Sequence, residues 1–247
     1  MPAFICSACG TQYPPSDASP GACLACNDER QFVPTSGQSW TTLEGLRKAY
    51  SNKFRRIARG ITTIETTPAF GIGQRAILAH TSSGNVLWDC IALIDDATVD
   101  LLNGMGGVSA IAISHPHYYT TMVEWSHALG GVPIYLHAAD REWVMRADPA
   151  VRFWEGDAKT IGPNLTLIRL GGHFDGGAVL HWVTGAKAAA SCSRETSSRW
   201  FRAATSALCG PTRTSSHSPP PRLSEWRRSW SHSRSMRSMA RFRVGIR

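Results

Sequence analysis

The chain has 247 residues, of which 43% are hydrophobic, so it can bury the core of one large domain and carry a small appendage. No stretch approaches the roughly 18 apolar residues of a membrane span, and no basic and apolar leader precedes the first cysteine, so we expect a soluble, cytoplasmic protein with no membrane segment. The net charge of +8 is uneven, because 13 of the 26 Lys and Arg residues but only 2 of the 18 Asp and Glu residues follow residue 186. The part before residue 187 is slightly acidic, which argues against nucleic acid as its partner.

Four cysteines near the N-terminus stand in two Cys-x-x-Cys pairs, Cys6 with Cys9 and Cys23 with Cys26. Each such turn can point two thiolates at one ion, and two turns complete the closed tetrahedral shell of a structural zinc site. The alternative is free or redox-active cysteines, but no βαβ pattern of the thioredoxin kind surrounds them. The segment 1–34 resembles a zinc ribbon, and we expect its zinc to hold the segment folded.

Behind this module, the apolar spacing predicts alternating strands and helices. A helix is predicted over 43–56, where apolar residues recur at helical spacing. Strands are predicted over 61–67, 75–80, 85–90, 108–113, 132–137, 165–170 and 178–183, and two further helices over 121–129 and 140–145. This alternation predicts an α/β layered domain over 35–186.

Three histidines follow predicted strands of this domain. His115 and His117 come directly after the strand 108–113, and His173 comes after the strand 165–170 and two glycines. Loops at strand ends commonly carry sites in α/β folds, and three imidazoles with a water make an open catalytic zinc site. The alternative is that they are ordinary surface histidines, since short motifs match by chance.

The run Ser-His-Pro-His-Tyr-Tyr-Thr-Thr, a preceding strand that ends in Asp89, and the later Gly-Gly-His-Phe-Asp-Gly-Gly together resemble the metallo-β-lactamase fold superfamily over about 61–183. The resemblance implies an αββα sandwich, here incomplete, in which His115, His117 and His173 bind zinc or another divalent metal. It implies a structural role for Asp89 near the site. The family's second-metal Asp and His are replaced by Tyr119 and Thr120, so whether one or two metals bind stays open.

The segment 187–247 is rich in Ser and Arg and shows neither a helical nor a strand period. The resemblance implies a strand ending in Gly-Asp about twenty residues after His173, and none is present. A frame starting on the third base of the Cys192 codon permits Leu-Ala-Gly-Asp-Ile-Leu-Ala-Val, so we favour the hypothesis that this segment is out of frame. The competing hypothesis is a basic, disordered arm that binds a polyanion.

Three functions follow from these features. The first is a metal-dependent hydrolase whose activated water attacks a small-molecule ester, amide or phosphodiester, with activity impaired by the missing residues. The second is a non-catalytic zinc-binding remnant or scaffold. The third is a nucleic-acid-binding protein that uses the ribbon and the basic tail, with affinity that falls steeply with salt.

Overall fold

The structure is a computed structural model that describes residues 1–27, 33, 35 and 37–183. Both hypotheses for the segment 187–247 concern residues outside this described part. None of the helices in the described part combines the length and the apolarity that a bilayer-spanning segment requires.

The described residues form thirteen strands and four α-helices. The strands are β1 (Ala3–Cys6), β2 (Gln12–Pro15), β3 (Trp40–Thr41), β4 (Ser51–Ala58), β5 (Ile61–Thr67), β6 (Arg75–Ala79), β7 (Val86–Trp88), β8 (Ala110–Ala112), β9 (Ile134–His137), β10 (Val151–Trp154), β11 (Ala158–Gly162), β12 (Leu165–Arg169) and β13 (Ala178–Trp182). The helices are α1 (Leu24–Asn27), α2 (Leu43–Ala49), α3 (Asp96–Gly104) and α4 (Met122–Ala128), and short 3₁₀ helices cover Pro116–Tyr118 and Ala138–Trp143.

The cysteine module is built on a three-stranded antiparallel sheet in the order β2-β1-β3. Its third strand, β3, lies beyond residue 34. The buried cluster of this module consists largely of its four cysteines with Tyr13, and the Tyr13 ring packs edge-on against Trp40 at 5.2 Å. So few apolar side chains bury little area, and a metal ion is the usual means by which such a small unit is stabilised.

A seven-stranded sheet in the order β10-β9-β8-β7-β6-β5-β4 forms the centre of the domain. Strands β7 to β10 run parallel, and β4 to β7 pair antiparallel. Because β7, β8 and β9 are parallel, their carboxyl ends meet at one edge of the sheet, where α/β folds place their ligands. The residues that follow these ends include Asp89 and His115.

Alternating side chains of this sheet face two different layers, as the two-residue period of a strand requires. Leu87 faces a core that it shares with Trp125 of α4, whereas its neighbours Val86 and Trp88 face the sheet β11-β12-β13, where Leu180 lies. Helices, a large sheet and a small sheet are thus three layers of a sandwich in the described part of the chain. The prediction of a layered α/β domain behind a four-cysteine module is confirmed.

The predicted helix over 43–56 is wrong in its second half. Thr42 caps α2 by accepting a hydrogen bond from the backbone N–H of Gly45, and α2 ends at Ala49. The chain then continues as β4, which pairs with β5 so that Phe54 lies opposite Ile64. The spacing misled because apolar residues four apart, such as Tyr50 and Phe54, share a face in a strand as well as in a helix, and pairing with β5 decides between the two.

In the domain behind the cysteine module, α3, β10 and β11 were also not predicted. Helix α3 begins where Asp95 accepts a hydrogen bond from the N–H of Thr98 at 2.8 Å, and it buries only Thr98 and Leu102. With so few buried positions, the apolar period is too weak to read. The helix predicted over 140–145 is the 3₁₀ helix Ala138–Trp143 instead.

Candidate metal centres

The four cysteine sulfurs form a compact cluster. All four side chains are buried, and their ligand atoms lie within 4.8 Å of one another. Cys6 Sγ is 3.6 Å from Cys26 Sγ, and Cys9 Sγ is 3.6 Å from Cys23 Sγ. Sulfurs at the corners of a tetrahedron around zinc, about 2.3 Å from the ion, are about 3.8 Å apart. The cluster therefore has the size of a tetrahedral thiolate site.

Hydrogen bonds among the four thiols move their pKa values in both directions, and those from Cys23 raise the pKa values of Cys9 and Cys26 above the usual range. Hydrogen bonds from Cys26 and Cys6 lower the pKa of the Cys23 thiol well below its usual range. A thiolate, not a thiol, is what binds a metal. The backbone supports the same geometry, because the Cys6 carbonyl accepts from the N–H of Gly10 and the Cys23 carbonyl accepts from that of Asn27.

The three histidines predicted from the sequence lie together. One ring nitrogen of each of His115, His117 and His173 falls within 4.8 Å of the others, and the ring centroids are 4.8 to 5.4 Å apart. All three side chains are half-buried. Strand β8 positions the first two, since it ends at Ala112, and a turn after β12 positions the third.

Ser114 orients the first histidine and connects it to Asp89. The Ser114 hydroxyl lies 2.8 Å from Nδ1 of His115, while the Ser114 N–H donates to the Asp89 carboxylate at 2.8 Å. A hydrogen bond at one ring nitrogen leaves the other, Nε2, available for a metal ion. Burial, and then the neighbouring His173 and His117, lower the pKa of His115 well below its usual range, so this imidazole is neutral at pH 7.

The loop that carries His173 is held from two sides. Asp140, which is buried, accepts a hydrogen bond from the N–H of Gly176 at 2.7 Å. The N–H of Ala178 donates to the carbonyl of Ser114 at 2.9 Å, which ties the loop to the strand end that bears His115. These contacts explain how residues 58 positions apart in the chain converge.

Phe174 forms an apolar wall beside the histidines. Its ring is 5.0 Å from that of His117 and 5.8 Å from that of His115, and Trp143 packs edge-on against it at 5.3 Å. Phe174 is buried, so water is excluded from this side of the cluster. A low local dielectric of this kind strengthens electrostatic interactions inside a site.

Tyr119 and Thr120, which the sequence resemblance places at second-metal positions, are packed into the interior. The Tyr119 side chain is buried in the core with Met122 and Trp125, and burial raises its pKa well above the usual range. Thr120 is buried with a positive φ of 35°, and its methyl group faces the cysteine module at Gly10. In the described part of the chain, the histidine group contains no carboxylate.

Asp89 occupies the strand end that the sequence predicts, next to the site but outside the histidine group. Its side chain is buried, its φ is 64°, and burial raises its pKa to about 7, although the N–H of Ser114 opposes the rise. Its contact with Ser114 gives it a supporting position.

His137 also ends a strand, but its Nδ1 accepts from the N–H of Ala139 and its Nε2 lies 3.1 Å from the carbonyl of Gly156.

The sequence did not single out Ser114, Asp140, Phe174 or Gln74. Gln74 donates from Nε2 to the carbonyl of Cys9 at 2.6 Å and to the carbonyl of His117 at 3.1 Å. Ser114 directly precedes the candidate ligand His115, and Phe174 directly follows the candidate ligand His173. Their positions could therefore have been found from the sequence. Gln74 and Asp140 are distant in sequence, and nothing in the local pattern marks them.

No protein-family model matches the chain. It is similar to the uncharacterized protein YmaE of Bacillus subtilis (strain 168), with 47% identity over 187 residues, which is 75% of this chain and 68% of that protein.

Among solved structures, the chain is similar to MEM-A1, a subclass B3 metallo-β-lactamase from a soil metagenome library, with 16% identity, a TM-score of 0.42 and coverage of 54% of this chain and 59% of that one. It is also similar to the DIM-1 metallo-β-lactamase, with 13% identity, a TM-score of 0.43 and coverage of 53% and 65%. A third is an N-acyl homoserine lactone hydrolase with its product at the catalytic metal centre, with 16% identity, a TM-score of 0.36 and coverage of 50% and 60%. The chain thus spans less than two thirds of the length of these solved structures.

Proposed function

We propose that this chain, which belongs to the same family as the uncharacterized protein YmaE of Bacillus subtilis, is a metal-dependent hydrolase of the metallo-β-lactamase superfamily. The observation that carries the proposal is the convergence of three imidazole nitrogens within 4.8 Å, beyond the ends of β8 and β12, which belong to two different sheets. The donor set fits a divalent ion, because three imidazole nitrogens leave a position open to water. The second centre, formed by four cysteines, holds a structural zinc.

Residues around the histidine cluster set the orientation and the protonation state of His115. His115 is neutral at pH 7 because burial lowers its pKa, and Ser114 holds its ring in one orientation. When bound, a zinc ion supplies Lewis acidity and lowers the pKa of a coordinated water to about 7. Phe174 keeps bulk water away from one side of the cluster.

The substrate class we propose is a small-molecule ester, amide or phosphodiester, whose carbonyl or phosphoryl group accepts a hydroxide. A metal ion held by His115, His117 and His173 would supply a bound water whose oxygen would add to that carbon or phosphorus, and the leaving oxygen or nitrogen would take up the proton that the water gives up. No carboxylate stands in the histidine group of the described residues, so proton transfer is slower than in an enzyme with a base beside the water. We therefore expect low activity.

Metal analysis of the purified protein tests the proposal. The wild-type chain is expected to bind two zinc ions, and His115→Ala is expected to bind one. His127→Ala is the matched control, because His127 is an exposed residue of α4 that pairs with Asp148, and it should keep both ions.

Hydrolysis is then assayed with the zinc-loaded protein on a lactone, a β-lactam, a carboxylic ester and a phosphodiester. Turnover that His115→Ala removes and His127→Ala retains supports the hydrolase. A wild-type protein with one zinc per chain, unchanged by His115→Ala, would instead identify a non-catalytic remnant that keeps only the cysteine site.

A further inference from the structure

The cysteine module lies directly against the turn that carries His117. Gly10, which directly follows Cys9, has a φ of 83°, and a Cβ there would be 3.3 Å from the methyl group of Thr120. The N–H of Gln12 donates to the carbonyl of Thr120 at 3.1 Å. The module is therefore packed on the main chain three residues after a metal-binding histidine.

Gln74 connects the two metal centres within one side chain. Its amide nitrogen donates both to the carbonyl of Cys9, a residue of the thiolate cluster, and to the carbonyl of His117, a residue of the histidine cluster. A primary amide has two N–H groups, so both bonds can form at once. Gln74 is buried, and a buried hydrogen bond of this kind holds its partners in place more firmly than an exposed one.

Two further features show that this arrangement is close-fitting. The side-chain oxygen of Gln74 is 3.1 Å from the position of a Cβ on Gly71, and Cys9 is 3.2 Å from the same position. A side chain at this position would be tight against both neighbours, and the φ of 59° favours glycine. The loop at Gly71 therefore confines Gln74 against the Cys9 carbonyl.

We propose that Gln74 is a positioning residue through which the four-cysteine centre stabilises the metal-binding geometry of the histidine centre. The thiolate shell fixes the main chain at Cys9, Gln74 transmits that position to the His117 carbonyl, and the 3₁₀ turn Pro116–Tyr118 keeps the His117 ring towards its partners. Thr120, which follows this turn, packs its methyl group on the cysteine module at Gly10. This inference rests on the proposed function, because it assumes that the histidines bind a metal.

Gln74→Met tests the connection, because methionine has a similar length and no N–H donor. Gln12→Met is the matched control. Gln12 is equally buried and its side chain also joins the module to the domain, through Glu124 and Arg146, but that path does not lead to a histidine. The backbone bond from Gln12 to Thr120 persists in the control.

Cobalt substitution distinguishes the two centres, because thiolate ligands give charge-transfer bands and histidine ligands do not. With Gln74→Met, the cobalt affinity of the histidine centre, measured by competition with a chelator, is expected to fall about 10- to 100-fold, the usual effect of losing a partner of a ligand. The thiolate bands should keep their intensity. Gln12→Met should stay within about twofold of wild type at the histidine centre.

Hydrogen exchange gives a readout that needs no metal at the histidines. Amides of the segment 115–120 are expected to exchange faster in Gln74→Met than in Gln12→Met, whereas those of β12 exchange alike in both. Equal histidine-centre affinities and equal exchange in the two variants would overturn the proposal. Absence of any cobalt at the histidines of the wild-type chain would instead refute the proposed function, and the exchange comparison would still decide the role of Gln74.

Discussion

Replacing Asp89 with Asn probes the buried carboxylate that supports the histidine centre. Asp89 has a positive φ of 64°, which Asn tolerates better than most residues, and Asn keeps an oxygen that can accept the N–H of Ser114. The substitution therefore removes the ionisable group with little change in shape.

The expected effect on stability depends on pH. Burial raises the folded pKa of Asp89 to about 7, while the unfolded value is about 3.9. The unfolded chain thus ionises first, so ionisation opposes folding: the cost is absent below about pH 3.9, grows as the pH rises, and is complete above about pH 7. At about 1.36 kcal/mol for each pKa unit, the full cost is about 4 kcal/mol. Asp89→Asn should therefore gain about 3 kcal/mol relative to wild type between pH 4.5 and pH 8.5.

Urea unfolding followed by tryptophan fluorescence at these two pH values measures the difference. Asp100→Asn, which removes an exposed carboxylate of α3, is the control and should follow the wild-type pH dependence. An equal stability difference between Asp89→Asn and wild type at the two pH values would contradict this expectation, as would a free energy of unfolding of the variant that falls relative to wild type as the pH rises.

Three further predictions concern the histidine loop, the core and the reading frame. Gly177→Ala places a Cβ 2.5 Å from the carbonyl oxygen of Gly171, so the loop of His173 must shift, and metal analysis should show one zinc lost per chain while Gly104→Ala, in open space at the end of α3, keeps both. Leu87→Ala opens a cavity in the main core and should lower the free energy of unfolding by about 2–5 kcal/mol, measured by urea unfolding, with zinc content unchanged in the folded protein. Sequencing the coding DNA across codons 180–200 should reveal an inserted or deleted base, and an uninterrupted frame would instead favour the basic arm.

Apolar spacing predicts some strands of this domain correctly, but it does not always distinguish a strand from a helix. Strands β5, β6 and β12 lie where the sequence predicts them. Strand β6 is buried along nearly its whole length, and β12 begins with alternating buried and half-buried residues. The segment after α2 was misjudged, since a four-residue spacing fits both a helix and a strand. Helix α3 is not predicted because it buries only two residues, Thr98 and Leu102, which is too few for a recognisable apolar period.

The two candidate metal-binding groups were predictable because the sequence patterns that mark them are local. Two Cys-x-x-Cys turns and a His-x-His after a strand are short patterns whose geometry follows from a few residues of backbone. The third histidine, His173, could also be predicted from the sequence, because it follows a strand and a pair of glycines. The structure brings all seven side chains into two clusters.

The sequence by itself determined which residues can bind metal and that the three histidines follow strands, because the chemistry of the side chains and the two-residue period of a strand are both local properties of the chain. Tertiary structure alone decided which groups hold those ligands in place. Asp140 reaches Gly176 across 36 positions, and Gln74 reaches Cys9 across 65 and His117 across 43. Contacts over such separations depend on how the sheets and the cysteine module pack, and no local pattern of residues records that packing.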